Sequence, residues 1–158
     1  MKPTVNIYFV EDDLTVDDFS ENVWQRAEKA VITKCWSGAP APPTRFAEAR
    51  LLATGEALWG RFDCAQHEPF VVSENPDLTR EAARLWERDV CEIFIAPDIN
   101  EPERYFEFEV APTGEWLDYA VHQLPDRRET DTGYHSGIRT AAKICQNLLS
   151  IRFPPIKV

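Results

Sequence analysis

The chain has no apolar run of membrane-spanning length, no cluster of lysine and arginine, and no CxxC pair. A spanning helix needs about 20 consecutive apolar residues, so none is expected here. Without a basic run, nucleic acid and anionic membranes are poor partners for a chain of net charge −10, with 27 acidic against 17 basic side chains. The four cysteines, Cys35, Cys64, Cys91 and Cys145, are widely spaced, so a zinc site is not expected and four reduced thiols are. His67, His122 and His135 are equally scattered. No GxSxG, P-loop, GxGxxG or HExxH pattern occurs, and no serine or cysteine carries a local nucleophile signature. The N-terminus lacks a basic start, an apolar run and a small-residue cleavage site. By default this predicts a cytoplasmic protein, or a secreted one if a leader has been removed.

What is present reads as one domain over 1–158, long enough to bury a sizeable core. The stretch 86–118 organises it. Residues 89–96 are rich in Val, Ile and Phe, and Pro97 ends the run. Residues 104–110 alternate aromatic and acidic side chains until the Pro112–Thr113–Gly114 turn, and 115–122 follow as a third strand. Strict alternation is the signature of a strand whose two faces meet different surroundings. Phe106, Phe108 and Val110 fall on one face, and Tyr105, Glu107 and Glu109 on the other. Likewise Cys91, Ile93 and Ile95 oppose Val90, Glu92 and Phe94. An acidic, aromatic face therefore backs onto an apolar one.

Elsewhere the pattern predicts a strand over 4–10, with Val5, Ile7 and Phe9 on one side and an acidic turn at Glu11, Asp12 and Asp13. A short helix capped by Ser20 carries Val23, Trp24 and Ala27, and a strand follows over 30–36. The proline-rich loop 38–43 leads to a hairpin, 44–53 and 57–64, joined by Thr54–Gly55–Glu56. A second helix is expected from Pro76 to about Trp86, a polar surface loop over 123–137, and two last strands over 138–144 and 148–153. Trp24, Trp36 and Trp59 are assigned to the core, and Trp86 to a polar junction. Many short strands with turn signals and only one or two short helices make the chain mainly β, an antiparallel β-sandwich.

The acidity reads first as solubility. Two sharper readings are calcium and a neutral polyol whose hydroxyls bond to carboxylates. The loop Asp98, Asn100, Glu101, Glu103 has calcium's oxygen ligands but not the spacing of a helix–loop–helix site, so no cofactor is assigned. Glu92 and Glu109, on neighbouring strands, are the raw material of a glycosidase pair, although acids on a strand surface are also ordinary.

The segments 86–95, 105–110 and 112–114 resemble the family 9 carbohydrate-binding modules, whose fold is a DOMON-like β-sandwich of immunoglobulin-like architecture. Trp24 and Ala27 fit that family's early W-x-x-A element, and 44–64 its hairpin, so the resemblance covers roughly 18–122. It implies non-catalytic binding of sugars or oligosaccharides by modules often attached to glycoside hydrolases. Trp86 matches a stacking tryptophan and Glu92 a hydroxyl acceptor, with Glu109, Tyr105 and Glu107 completing the expected site and no catalytic residue assigned. Glu109 falls near the place of an arginine, a reversal of charge, and no second stacking tryptophan is placed. The family's last strand ends in an Ile-Pro edge, which matches Arg152–Phe153–Pro154 or lies beyond a truncated end. Two other readings stand beside this one: a relative of the same fold that has lost sugar binding and serves a structural or protein-interaction role, and a small hydrolase using Glu92 and Glu109.

Overall fold

The computed structural model describes residues 4–11, 14–17, 19, 22–35, 37–145 and 148–156, with 145 and 148–156 described through the backbone only. The expected roles of Asp12, Asp13, Ser20 and Trp36 lie outside the described residues, as do the side chains of Cys145, Arg152, Phe153 and Pro154. Among the described residues, ten strands run in the order β1 Tyr8–Phe9, β2 Ala30–Ile32, β3 Arg45–Ala53, β4 Leu58–Gln66, β5 Cys91–Ile95, β6 Arg104–Val110, β7 Trp116–Gln123, β8 Arg128–Asp131, β9 Ala141–Cys145 and β10 Leu148–Ile156. One sheet has the order β1-β3-β4-β10-β9, with β2 also on the edge of β3. The other has the order β5-β6-β7-β8. Every pairing is antiparallel except β1 with β3.

The two sheets meet through the apolar face read from the alternation. Phe108 and Val110 of β6 are wholly buried with Cys91, Phe62 and Ile138, and Ile93, Ile95 and Phe106 pack around them. Between β4 and β5, the Cys64 and Cys91 thiols stand 3.5 Å apart across this seam. The hairpin is as expected: β3 and β4 pair from Arg45 with Gln66 to Ala53 with Leu58, and the Thr54 N–H donates to the Ala57 carbonyl at 2.8 Å. On its other face, Leu52 and Trp59 are buried with Val10, Trp24 and Ala27. Beside them Arg50 and Arg61 satisfy Glu48 and Asp63; Arg61 Nε donates to Asp63 at 2.9 Å and Arg50 Nη1 to the same carboxylate at 2.9 Å. The turn after β6 needs its glycine, because Gly114 has φ +87° and its N–H donates to the Ala111 carbonyl.

Several elements depart from expectation. The expected N-terminal strand shrinks to Tyr8–Phe9, and Val5, Ile7 and Phe9 are exposed while Val10 is buried at 1%. Both short helices are single 3-10 turns, Trp24–Arg26 and Leu85–Glu87. Between Pro76 and Arg84 the chain turns instead of winding. The Asp77 carboxylate accepts from the Thr79 N–H at 3.0 Å and Oγ1 at 2.6 Å, and Arg84 takes the left-handed φ of 58°. Side-chain bonding of this kind competes with helix. The polar stretch after β7 holds an extra strand, β8. Finally, β10 extends to Ile156 and lies inside its sheet between β4 and β9.

Phe108 is the centre of the seam, at 0% exposure. Phe108→Ala should lower unfolding free energy by about 3–5 kcal/mol, read as a lower urea midpoint with little change in slope.

Candidate functional site

On the far side of β6 from the core stand Tyr105, Glu107 and Glu109. Strand pairing extends that face sideways. Glu92 lies opposite Glu109 and Phe94 opposite Glu107 in β5, while Leu117 and Tyr119 lie opposite the same two acids in β7. Four of the five expected site residues therefore share one surface. The fifth, Trp86, sits on the 3-10 turn Leu85–Glu87, whose Leu85 is buried against Ala111 and Leu117 beside Ala82, Val90 and Tyr119. The turn is pinned where the Ala82 N–H donates to the Trp116 carbonyl at 2.9 Å.

Burial corrects the picture of an acidic face washed by solvent. Glu107 is 6% exposed and Glu109 0%. The alternation told the two faces apart, but it could not tell that a non-regular segment would lie over the second one. Glu109 as placed offers no oxygen to a ligand, and its polar neighbour is the Glu107 carboxyl rather than an N–H or hydroxyl donor. Glu107 is paired with the Arg128 guanidinium. Glu92 remains exposed, as do Trp86 at 49% and Phe94 at 54%. Phe94 and Tyr105 meet edge to face with centroids 5.8 Å apart. The face thus holds enclosed acids at Glu107 and Glu109 and, in its more accessible part, Phe94, Tyr105 and the Glu92 carboxyl.

Arg128 was hidden in a stretch read as loop. Its strand, β8, is four residues long, too short and too polar for alternation to reveal. It brings a cation to the face on which Glu109 had removed one. Tyr119 and Phe94 also belong here; both follow from register with Glu107 once the strands are aligned.

Burial raises the Glu109 pKa to about 8, and the neighbouring Glu92 and Glu107 carboxyls push the same way against Arg128. Burial also raises Glu92, with Glu107 adding to it and Arg128 opposing. Tyr119 is raised by burial and by Glu109, Glu81 and Glu107. One proton thus resides among these acids near neutral pH.

Two other places hold less. A groove of about 560 Å³ runs past Pro97, Tyr105, Phe106, His122, Glu129 and Asp131, and shares only Tyr105 with the expected site. In the loop considered for calcium, Asp98 accepts from the Asn100 N–H at 2.8 Å and Nδ2 at 3.0 Å, and Glu101 pairs with Arg104 at 3.3 Å. The Asp98, Glu101 and Glu103 carboxylates do not converge.

An acid whose pKa rises on folding binds more protons folded than unfolded between its two values. Glu109 should therefore make the protein lose stability as pH climbs from about 4.5 towards 8, with the slope levelling off above that. Glu109→Gln should flatten this slope and raise stability at pH 8 by on the order of 1–3 kcal/mol, as measured by denaturant titrations at pH 5 and pH 8.

No family model matches this chain, and no curated protein does either. Solved structures do. A family 9 carbohydrate-binding module from Caldicellulosiruptor kristjanssonii in complex with cellotriose aligns at TM-score 0.60 and 17% identity over 94% of this chain and 66% of its own. The same kind of module in complex with glucose aligns at 0.59 and 17%, over 94% and 67%. A presumed carbohydrate-binding protein from Bacteroides uniformis aligns at 0.65 and 16%, over 95% and 71%. The chain thus spans about two thirds of the length of these structures. It has the β-sandwich fold of the family 9 modules.

Proposed function

We propose that this chain binds small sugars or oligosaccharides without acting on them, through the outer surface of β5 and β6 and the turn that carries Trp86. The observation that carries this reading is the exposure of Trp86, Phe94 and the Glu92 carboxyl, with the half-buried Tyr105 meeting Phe94 edge to face. Aromatic faces supply an apolar platform for the C–H side of a pyranose, and a carboxylate accepts its hydroxyls in charge-assisted bonds. The fold is shared with modules crystallised with cellotriose and with glucose, which makes β-linked glucose units the first ligands to try. Glu107 and Glu109 serve beneath the site: Glu107 anchors Arg128, and Arg128 takes the place of the cation that the sequence comparison found missing. A link to polysaccharide degradation follows if the chain works beside a hydrolase, as such modules often do.

The hydrolase reading weakens on geometry. Glu92 and Glu109 are directly opposite across two antiparallel strands, which brings Cβ atoms to roughly 5 Å, a separation suited to a retaining pair. Yet a group at 0% exposure touches no glycosidic bond. That same burial is the observation favouring a second reading, a sandwich that keeps its acids for structure and binds no sugar.

Titration of intrinsic tryptophan fluorescence with glucose, xylose, cellobiose and xylobiose separates these. The sugar reading expects a saturable change that disappears in Trp86→Ala and weakens about tenfold in Glu92→Gln, the loss of one hydrogen bond to a charged group. A flat response across the panel would establish the second reading instead. Turnover of aryl glycosides lost in Glu92→Gln would establish the third.

A further inference from the structure

Away from the acidic face, three side chains distant in sequence converge at the edge of the second sheet. Glu81 comes from the covering segment, Asp118 from the core-facing side of β7, and His135 from the loop after β8. One ligand atom from each lies within 4.8 Å of the others. The His135 imidazole Nδ1 sits 2.6 Å from Glu81 Oε1. Asp118 is 1% exposed, and its two oxygens fare differently. Oδ2 accepts from the Ser136 N–H at 3.0 Å and from the Ser136 hydroxyl. Oδ1 is buried and accepts from no N–H or hydroxyl among the described residues, while the Glu81 carboxyl stands within hydrogen-bonding reach of Asp118. A buried carboxylate oxygen whose polar neighbour is a second carboxyl favours a proton or a cation between the two. The three residues also line one cleft together with Thr79, Trp116 and Gly137.

We propose that Glu81, Asp118 and His135 form a binding site for one divalent transition-metal ion of the zinc class. The donor set decides the class. Calcium takes oxygen ligands, whereas an imidazole nitrogen with two carboxylates suits zinc and its neighbours. Metal bonds of about 2.0–2.2 Å set ligand–ligand edges of roughly 3.4 Å in a tetrahedron, inside the 4.8 Å span of the group. The His135–Glu81 contact must open by less than 1 Å, and His135 is 68% exposed on a loop and free to do so. Three protein ligands leave a fourth position for water. The second shell is already present: Ser136 holds Asp118 Oδ2, which turns Oδ1 towards the metal, and the Ile138 N–H donates to the Ser136 hydroxyl at 3.0 Å, fixing that loop. Two carboxylates and a divalent ion cancel in charge. No sequence motif announces the site, because its ligands lie 37 and 17 residues apart (118 − 81 and 135 − 118).

The test uses the whole chain stripped of metal with a chelator, then titrated with zinc chloride while calorimetry and thermal melting are followed. The site predicts one equivalent bound and a melting temperature that rises with zinc but not with calcium. His135→Ala, an exposed position, should fold normally and bind zinc at least tenfold more weakly, and Glu81→Gln should do the same. Cobalt should bind without a thiolate charge-transfer band. A zinc response equal in wild type and His135→Ala, a thiolate band marking the cysteines as ligands, or no response to zinc, cobalt, nickel or manganese would each overturn the assignment.

Discussion

The second half of strand β6, residues 107–110, has no free face, and much of the molecule follows from that constraint. Phe108 and Val110 fill the seam between the sheets while Glu107 and Glu109 are shut in on the other side. Two carboxyls in a covered layer, with a third at Glu92 beside them, face a single guanidinium from β8. Coulomb repulsion and desolvation act together there, and both favour a proton on the most buried member. Glu109, wholly enclosed, is where the proton goes. The layer is therefore closer to electrical balance than three carboxylates would be: Arg128 answers Glu107 and the proton answers Glu109. A buried acid pair that would be ruinous if fully ionised is tolerable in this form.

That balance bears on what the surface can present. Had Glu109 been exposed, the face would carry three carboxylates and would repel any partner that did not bring cations. With two of them enclosed, the accessible part of the face holds Phe94, the half-buried Tyr105 and one acid, Glu92. Such a surface suits a neutral, polyhydroxylated ligand, with apolar C–H faces to lie on the rings and hydroxyls to meet a carboxylate. The same division leaves the Glu92–Glu109 carboxyl pair incomplete at the surface, because Glu109 is enclosed.

The alternation of 104–110 disclosed both the strand and the separation of its faces, because a period of two needs only local sequence. Register then followed from composition, and Glu92 does lie opposite Glu109. What could not be read locally was what lies over each face. The segment from Pro76 to about Trp86 looked like a helix with a small apolar stripe; it is instead an irregular cover held by Leu85 and by side-chain turns such as that at Asp77. Its presence converts a solvent-facing acid into a buried one, and nothing within β6 records it. Arg128 was missed for a related reason, since four polar residues at a sheet edge look like a loop until a partner strand is known. Trp86 was legible through its polar surroundings, and its exposure agrees with them. The grouping of Glu81, Asp118 and His135 was beyond any local reading, because only the closing of three separate elements creates it.

The covering segment consequently links the two sites. Glu81 and Trp86 stand five residues apart on it (86 − 81), joined through the left-handed Arg84. Its backbone ties to the rest of the described residues are sparse: the Ala82 N–H reaches the Trp116 carbonyl at the start of β7 and the Asp89 N–H the Val71 carbonyl in the loop after β4, both at 2.9 Å. A stretch held by so few bonds takes its position largely from side chains. Leu85 anchors it from below, and a metal bridging Glu81 to Asp118 and His135 anchors it to β7 and to the loop after β8. Because this segment covers Leu117 and Tyr119 through Leu85 and also carries Trp86, whatever fixes its N-terminal half also sets where Trp86 stands relative to the β5–β6 face. Order in the cover, more than any single contact on the exposed face, is then what separates a preformed sugar site from a loose collection of aromatic side chains.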